Sequence, residues 1–386
     1  MTLLERSIEI LGDLIACPSV SSDSNLDIIT YCADLLRGIG AQVDVIPDEM
    51  GLKANLFATL GPQIDGGIIL SGHTDVVPVT DQEWDTDPFT LIKRDGRLFG
   101  RGTCDMKGFL AASLAMAETV DPVSLRLPLH FAFTYEEETG CIGAQRLTHD
   151  FARFGLNPAM TLVGEPTLLK PIEGHKGCCE YTTTFHGRPG HSSVPEAGVN
   201  AAEYAARFAN KLMELREEMK LRAPADSPFI PPWTTSNIGA IDGGIAHNVI
   251  APTASVKWEF RPISAQDFTY FKSQIEAYVT ETLLPQMRIT APEAQITTQI
   301  VGEVDGFEPA TDNPARDLIY QLTGANSADV VAFGTEAGLF QKIGIPTIIC
   351  GPGSIEQAHK ANEFLDIAQL DQCLTLLGKI AQGLKS

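Results

Sequence analysis

The sequence is short of positive charge. Its 386 residues carry 28 Lys and Arg against 49 Asp and Glu, a formal net charge of −21 with His neutral. A chain this acidic is repelled by phosphate backbones and anionic bilayers, which argues against nucleic acid and membrane as partners. The surplus acid either keeps the chain soluble or steers a cationic substrate. No apolar run approaches the ~20 residues of a transmembrane helix. The opening Met1-Thr2-Leu3-Leu4-Glu5-Arg6 leads into no apolar h-region, so no signal peptide is expected. The eight Cys form no Cys-x-x-Cys and no paired framework. That fits a reducing, cytoplasmic compartment. Internal repeats and low-complexity segments are also lacking.

What is present is ordinary globular material, 44% hydrophobic and 20% charged. The length exceeds what one core usually holds and implies two domains. Helical spacing runs through Leu4, Ile8, Leu11 and Ile15, and again through Leu26, Ile29, Cys32, Leu35 and Leu36. Strands are expected at 41–46, 55–60, 68–71, 129–134 and 160–163, with a small-residue helix at 111–117, a βαβ-type order. After Lys176-Gly177 the style changes. Residues 180–186 alternate and are rich in Thr and aromatics. Strands at 237–239, 248–250, 254–260 and 295–301 accompany helices at 200–219 and 268–284. Two strands, a helix and a similar set again read as an α+β, ferredoxin-like layer. The first style then returns with helices at 314–323 and 370–384 and strands at 330–333 and 346–350. The expected fold class is α/β: a first domain of residues 1–177 and 302–386, interrupted by an inserted domain of residues 178–301.

Five metal-binding residue types punctuate the chain, most of them where an apolar run gives way to a Gly-rich turn. They are His73 in Gly72-His73-Thr74-Asp75, Asp105 in Cys104-Asp105-Met106-Lys107-Gly108, Glu138 in Glu136-Glu137-Glu138, Glu165 in Gly164-Glu165-Pro166, and His359. In α/β sheets chemistry collects at the carboxyl ends of strands. A dinuclear hydrolytic site needs a bridging group, terminal ligands on each cation and a base for the water. Asp105 can bridge, because a carboxylate has two oxygens. Three carboxylates with two imidazoles cancel most of the charge of two divalent ions and favour zinc, with cobalt or manganese as workable substitutes. Asp75 either accepts the second N–H of His73 and fixes its tautomer, or caps the following turn. Glu137 is the natural general base, although a solvated acidic turn would also explain the triple glutamate. Cys104 is a further ligand type or a small buried residue. His191 in Gly190-His191-Ser192 is an oxyanion donor or a plain turn residue.

Together these stretches resemble the dinuclear zinc amidohydrolases that include aminoacylase, acetylornithine deacetylase and succinyl-diaminopimelate desuccinylase. The motifs are Ser71 to Asp75, Gly100 to Gly108, Glu137-Glu138-Thr139-Gly140, Gly164-Glu165-Pro166, Gly187 to Pro195, and His359. They run in family order across nearly the whole chain. The resemblance implies a zinc-peptidase-like domain with a mixed sheet flanked by helices, an inserted dimerisation domain, a homodimer, two divalent metal ions per chain, and hydrolysis of an N-acyl amide. It implies His73, Asp105, Glu138, Glu165 and His359 as ligands, with Asp105 bridging, and Glu137 as base. His191 resembles a histidine supplied across the dimer, Arg261 an arginine for the substrate carboxylate, and Asn248 and Thr335 polar substrate contacts. The family's acidic motif usually begins with Asp, where this chain has Glu136. Within the family, residues 173–200 and Phe333-Gly334-Thr335-Glu336-Ala337 look most like acetylornithine deacetylase. That implies N2-acetyl-L-ornithine as substrate, in arginine biosynthesis, with a related N-acyl amino acid, a succinylated substrate or a dipeptide as alternatives.

Overall fold

The structure, a computed structural model, describes residues 1–385. The chain forms two compact units. One comprises Met1–Gly174, Pro309–Asp329 and the chain from Thr335 onward; the other comprises His175–Glu308 and Val330–Gly334.

The first unit is built on an eight-stranded mixed sheet. Its order is Gln42–Pro47, Ala54–Leu60, Leu129–Thr134, Ile68–His73, Met160–Pro166, Thr347–Gly351, Ile172–His175 and Asp329–Val331. The four neighbours from Leu129–Thr134 to Thr347–Gly351 are parallel; Ala54–Leu60 pairs antiparallel with Gln42–Pro47 and with Leu129–Thr134, and Ile172–His175 antiparallel with Thr347–Gly351. Ala54–Leu60, Ile68–His73, Leu129–Thr134 and Thr347–Gly351 are buried at every residue. This is why they read as continuous apolar runs: both faces of the sheet are covered. Leu56, Ala58 and Leu60 belong to a core shared with helices Leu3–Ile15, Leu26–Gly38, Gly108–Ala117 and Ile367–Gly383. Phe57, Ile69 and Ala132 face the other way, onto Leu147, Phe151 and Phe340.

Local chemistry sets the helix ends. Thr2 accepts the Glu5 N–H at 3.2 Å while the Glu5 carboxylate accepts the Thr2 N–H at 2.7 Å. This reciprocal cap starts the first helix and buries Ile10, Leu11, Leu14 and Ile15. Helix Gly108–Ala117 is buried along its whole length, as its lack of a polar face dictates. Lys107 ahead of it is also buried, and its ammonium donates to the carbonyls of Leu14 at 3.0 Å and Cys17 at 2.8 Å. It thereby closes the C-terminus of the first helix, where a cation is favoured.

The second unit is a four-stranded antiparallel sheet in the order Thr235–Gly243, Thr253–Arg261, Cys178–His186, Gln295–Val304. The two central strands, Cys178–His186 and Thr253–Arg261, alternate buried with more exposed positions, as a sheet covered on one face should. Tyr181, Trp258 and Phe260 form that covered face with Phe208 and Leu212 of helix Ala201–Leu221 and Phe271 of helix Ala265–Ala277. The Trp258 indole stacks on Tyr181 at 4.5 Å and donates to Thr183 Oγ1 at 3.0 Å.

In chain order this unit runs strand, helix, strand, strand, helix, strand, the ferredoxin-like succession, rather than two repeats of two strands and a helix. The strand expected at 248–250 is a loop, because Val249 makes only a single bridge to His191 before Pro252 interrupts the ladder. The second helix also outruns its expected end at 284. It continues through a widened turn at Tyr278–Leu283 into Leu284–Thr290. Pro285 directly follows that widened turn and lacks the N–H that a regular helix would use there. Among the described residues no helix is long and apolar enough to cross a membrane.

Candidate metal centre and active site

Parallel strands deliver their carboxyl ends to one edge of a sheet, and that is where the chemistry-bearing residues of the first unit gather. His73 is the last residue of its strand, Glu137 and Glu138 follow Leu129–Thr134, and Glu165 is the last residue but one of Met160–Pro166. Asp105 lies in the turn Thr103–Lys107 with φ −122° and ψ 94°, outside helical geometry, which turns it away from the helix that follows. His359 follows the last parallel strand and stands at φ 61°.

Close packing brings these segments together. A Cβ on Gly164 would lie 2.0 Å from the Phe109 ring. Only glycine lets the strand carrying Glu165 pass that close to the helix that follows Asp105.

Asp105 is the centre of the cluster. Its Oδ1 is 3.0 Å from His73 Nε2, and its Oδ2 is 3.3 Å from His359 Nε2. Glu165 Oε1 lies 3.7 Å from His73 Nε2 on one side, and Glu138 Oε2 lies 2.9 Å from His359 Nε2 on the other. His73, Asp105 and Glu138 place ligand atoms within 4.8 Å of one another, and so do His73, Glu137 and Glu165. The structure therefore brings all five expected ligands and Glu137 into one group.

The electrostatics of this group call for cations. Four carboxylates crowd together. Burial pushes Glu137, Glu138 and Glu165 above the ordinary carboxyl range, and their mutual repulsion adds to it. Glu165 Oε1 is buried with no hydrogen-bond partner among the described residues, an orphan of the kind that marks a ligand position. Burial works against a charged His73, but the Asp105 and Asp75 contacts outweigh it and hold its pKa well above the usual value. The Asp105 and Glu138 contacts raise His359 to about 10. A buried anionic cluster that must protonate its imidazoles to balance charge is one that divalent cations would neutralise instead. Histidine nitrogens and carboxylate oxygens are the donors zinc and its neighbours accept. The residues fit a pair of such ions.

The tautomer of His73 follows from its other nitrogen. Nδ1 is 2.9 Å from the Asp75 backbone carbonyl, which can only accept, so Nδ1 carries the proton and Nε2 is turned toward Asp105 and Glu165. The Asp75 carboxylate stands 3.6 Å from Nδ1. Of the two roles open to Asp75 from the sequence, a bond to His73 or a cap on the turn, the first is made by its backbone oxygen. The carboxylate instead accepts Ser21 Oγ at 2.7 Å and the N–H groups of Glu137 at 3.1 Å and Glu138 at 3.4 Å.

Cys104 is not a ligand in this arrangement. It is buried, and its Sγ lies 3.2 Å from the Ser354 carbonyl. Glu136, at the position where the family usually has Asp, pairs with the Lys53 ammonium and holds a left-handed conformation at φ 53°. Thr335 is fully buried, and its hydroxyl accepts the Ala337 N–H at 3.1 Å. The residue beside it, Glu336, was missed. It is buried between Ser71 Oγ at 2.6 Å and Thr134 Oγ1 at 2.7 Å, and its only signal in sequence is an acid inside an otherwise apolar stretch.

In the second unit, His191 is exposed. Its Nδ1 accepts the Ser193 N–H at 3.2 Å, leaving Nε2 as the N–H donor facing outward. Asn248 lies on the segment beside it, accepting the Ser192 N–H at 3.1 Å through its carbonyl. Arg261 closes strand Thr253–Arg261 and pairs with Glu259 at 3.1 Å.

Residues 69–383 match the family described as peptidase family M20/M25/M40. The acetylornithine deacetylase of Proteus mirabilis is 36% identical over 98% of this chain and 97% of its own length. An M20-family metallo-carboxypeptidase from Sulfolobus solfataricus superposes with a TM-score of 0.75 at 15% identity, covering 98% of this chain and 99% of that one. A dinuclear metal-binding peptidase of the M20 family from Bacillus subtilis superposes at 0.64 with 17% identity, covering 98% and 97%. At such identities these two structures speak to the fold. The chain belongs to peptidase family M20/M25/M40 and is a hydrolase of amide bonds.

Proposed function

We propose that the protein hydrolyses an N-acyl amino acid, with N2-acetyl-L-ornithine as substrate and L-ornithine and acetate as products in arginine biosynthesis. The observation that carries the chemistry is the Asp105 carboxylate, with one imidazole at each oxygen. The acyl group and amino acid rest on the 36% identity to the Proteus mirabilis acetylornithine deacetylase. In this reading His73, Asp105, Glu138, Glu165 and His359 would hold two divalent ions. Zinc is the proposed metal, with cobalt as a substitute. When bound, the ions supply Lewis acidity that polarises an acyl carbonyl and lowers the pKa of water.

The chain's own residues do the rest. Glu137, whose carboxyl burial lifts above the ordinary range, takes a proton from the attacking water. As the C–N bond breaks, it returns that proton to the leaving amine nitrogen. Asp75 holds the Glu137 and Glu138 backbone in place. His191, with Nε2–H free to donate, stabilises the tetrahedral oxyanion in a homodimer where the 175–308 unit supplies it to the other copy's site. Arg261, released from Glu259, meets the substrate carboxylate. Asn248 is a polar contact, and Thr335 contributes through the turn that its hydroxyl caps. Eight free cysteines accord with a reducing, cytoplasmic setting.

The test is release of ornithine from N2-acetyl-L-ornithine by purified protein loaded with zinc or cobalt, then stripped by a chelator. Fast, chelator-sensitive release supports the reading. A metal-loaded protein that leaves this substrate intact but cleaves N-succinyl-diaminopimelate, a dipeptide or N-acetyl-methionine from a parallel panel overturns the substrate and keeps the chemistry.

A further inference from the structure

Outside the ligand set, one buried ion pair connects two ligand-bearing segments. The Glu363 side chain is 1% exposed, as is that of Arg101. Glu363 Oε2 accepts Arg101 Nη1 at 2.8 Å and the Gly102 N–H at 2.8 Å. Oε1 accepts the N–H groups of Cys104 at 2.8 Å and of Asp105 itself at 3.0 Å. Three backbone donors of one turn converge on a single anion, as in a nest. Gly102, at φ 85° and ψ 2°, gives the turn that curvature.

The same pair reaches the segment of His359, four residues before Glu363. Arg101 Nη1 lies 3.3 Å from the Lys360 carbonyl, and Nη2 donates to Gln82 Oε1 at 2.6 Å. Gln82 Nε2 in turn donates to the His359 carbonyl at 2.9 Å. The Gly100 N–H donates to the Glu363 carbonyl at 3.0 Å. An ion pair so deeply buried is weak evidence for stability, since desolvation offsets much of its Coulomb attraction. Its connections explain it better. They register the turn carrying Asp105 against the segment carrying His359, whose imidazole faces Asp105 Oδ2.

We propose that Glu363, anchored by Arg101, is a positioning residue. It holds the Asp105 backbone against the His359 segment so that the carboxylate can span two cations. The proposal rests on the dinuclear reading above. Groups that orient metal ligands from behind characteristically change metal affinity by about ten- to a hundredfold when removed.

The experiment is equilibrium metal titration of the full-length protein with zinc alone, together with the visible spectrum of the cobalt-loaded form. The wild type should bind two equivalents. Glu363→Gln, which keeps the shape and removes the charge, should weaken one of the two equivalents by about ten- to a hundredfold and shift the cobalt band. Glu363→Asp should recover part of both. A clamp that only stabilises the fold would lower the unfolding temperature and leave the affinity ratio and cobalt band unchanged; that result overturns the proposal. If Glu363→Gln does not fold, Glu363→Asp and the half-buried Gln82→Ala decide it. Wild-type affinity in both overturns it. A wild type that holds fewer than two equivalents sinks the dinuclear reading, and the proposal with it, before any substitution is made.

Discussion

Asp75 Oδ1 accepts the backbone N–H of Glu137 at 3.1 Å. The other oxygen takes Ser21 Oγ at 2.7 Å. One buried carboxylate thus ties the strand end bearing His73 to the turn bearing Glu137 and Glu138. Its pKa is held below the usual range: burial opposes this, and the contacts from His73, Ser21 and the Glu137 N–H outweigh it.

An Asp75→Asn variant keeps the volume but offers one acceptor oxygen where two are used. Its amide nitrogen then faces a donor. Metal affinity is expected to fall about ten- to a hundredfold, and Ser21→Ala should cost less, since it removes one donor and leaves the carboxylate. Zinc titration of both variants checks this; wild-type affinity in Asp75→Asn would show that the carboxylate does not hold the ligand turn.

Glu137→Gln should separate binding from turnover. The amide cannot accept a proton, so kcat should drop by about 10²- to 10⁴-fold, with two metal equivalents retained. Elemental analysis alongside steady-state kinetics makes the comparison. A variant with full turnover removes Glu137 from the base role, and one that has lost metal makes it a ligand.

The sheet of the first unit was legible because its strands are buried on both faces, so Ile68-Ile69-Leu70 and Leu129 to Thr134 stand out as apolar runs. The residues that gather at the strand ends were legible because a His or Glu follows each run at a Gly-rich turn. Glu363 has no such frame. It lies in an irregular segment, and besides the distant Arg101 its partners are backbone N–H groups, which carry no side-chain code. Asn248-Val249-Ile250 misled because two β-branched residues mimic a strand where Pro252 ends the ladder. The strands Ile92–Arg94, Arg97–Phe99 and Phe364–Asp366 are too short for alternation to register.

Gly164→Ala should destabilise the first unit. The added Cβ would meet the Phe109 ring at 2.0–2.3 Å. Overpacking of this kind costs about 1–3 kcal/mol, and Phe109→Leu in the same chain should recover part of it. Urea unfolding of the two singles and the double gives the coupling. Strict additivity would mean that the ring is not the obstacle.

His130 predicts part of the acid sensitivity. It is buried beside Phe57, its Nδ1 2.9 Å from Thr59 Oγ1, and burial lowers its pKa to about 4. An unfolded histidine titrates near 6.5. Between those values the unfolded chain binds the proton and the folded chain does not. Stability is therefore full above about pH 6.5 and falls as pH drops toward 4, by about 2 kcal/mol at pH 5. His130→Asn keeps a polar group near Thr59 and cannot titrate. Its loss of stability from pH 7.5 to 5 should be smaller than that of the wild type by that amount, measured by urea unfolding. Equal losses would place the acid sensitivity elsewhere.

The metal-free protein should show the opposite pH trend because of Glu165. Burial raises its carboxyl well above the ordinary range, and Asp105 adds to the effect. The folded chain then binds the proton more tightly than the unfolded chain. The contribution is complete below the unfolded pKa of about 4.3 and is lost as pH rises through the folded value. With a chelator present, the unfolding temperature should fall as pH rises above about 4.3. Glu165→Gln has no proton to lose at that position, and its amide can donate within a cluster of acceptors. It should therefore melt higher than the wild type at pH 8 in chelator and lower once zinc is supplied, since a carboxylate ligand is gone. A metal-free Glu165→Gln that falls as steeply as the wild type would mean that Glu165 is already neutralised by a neighbour, and the need of this buried cluster for cations would be correspondingly weaker.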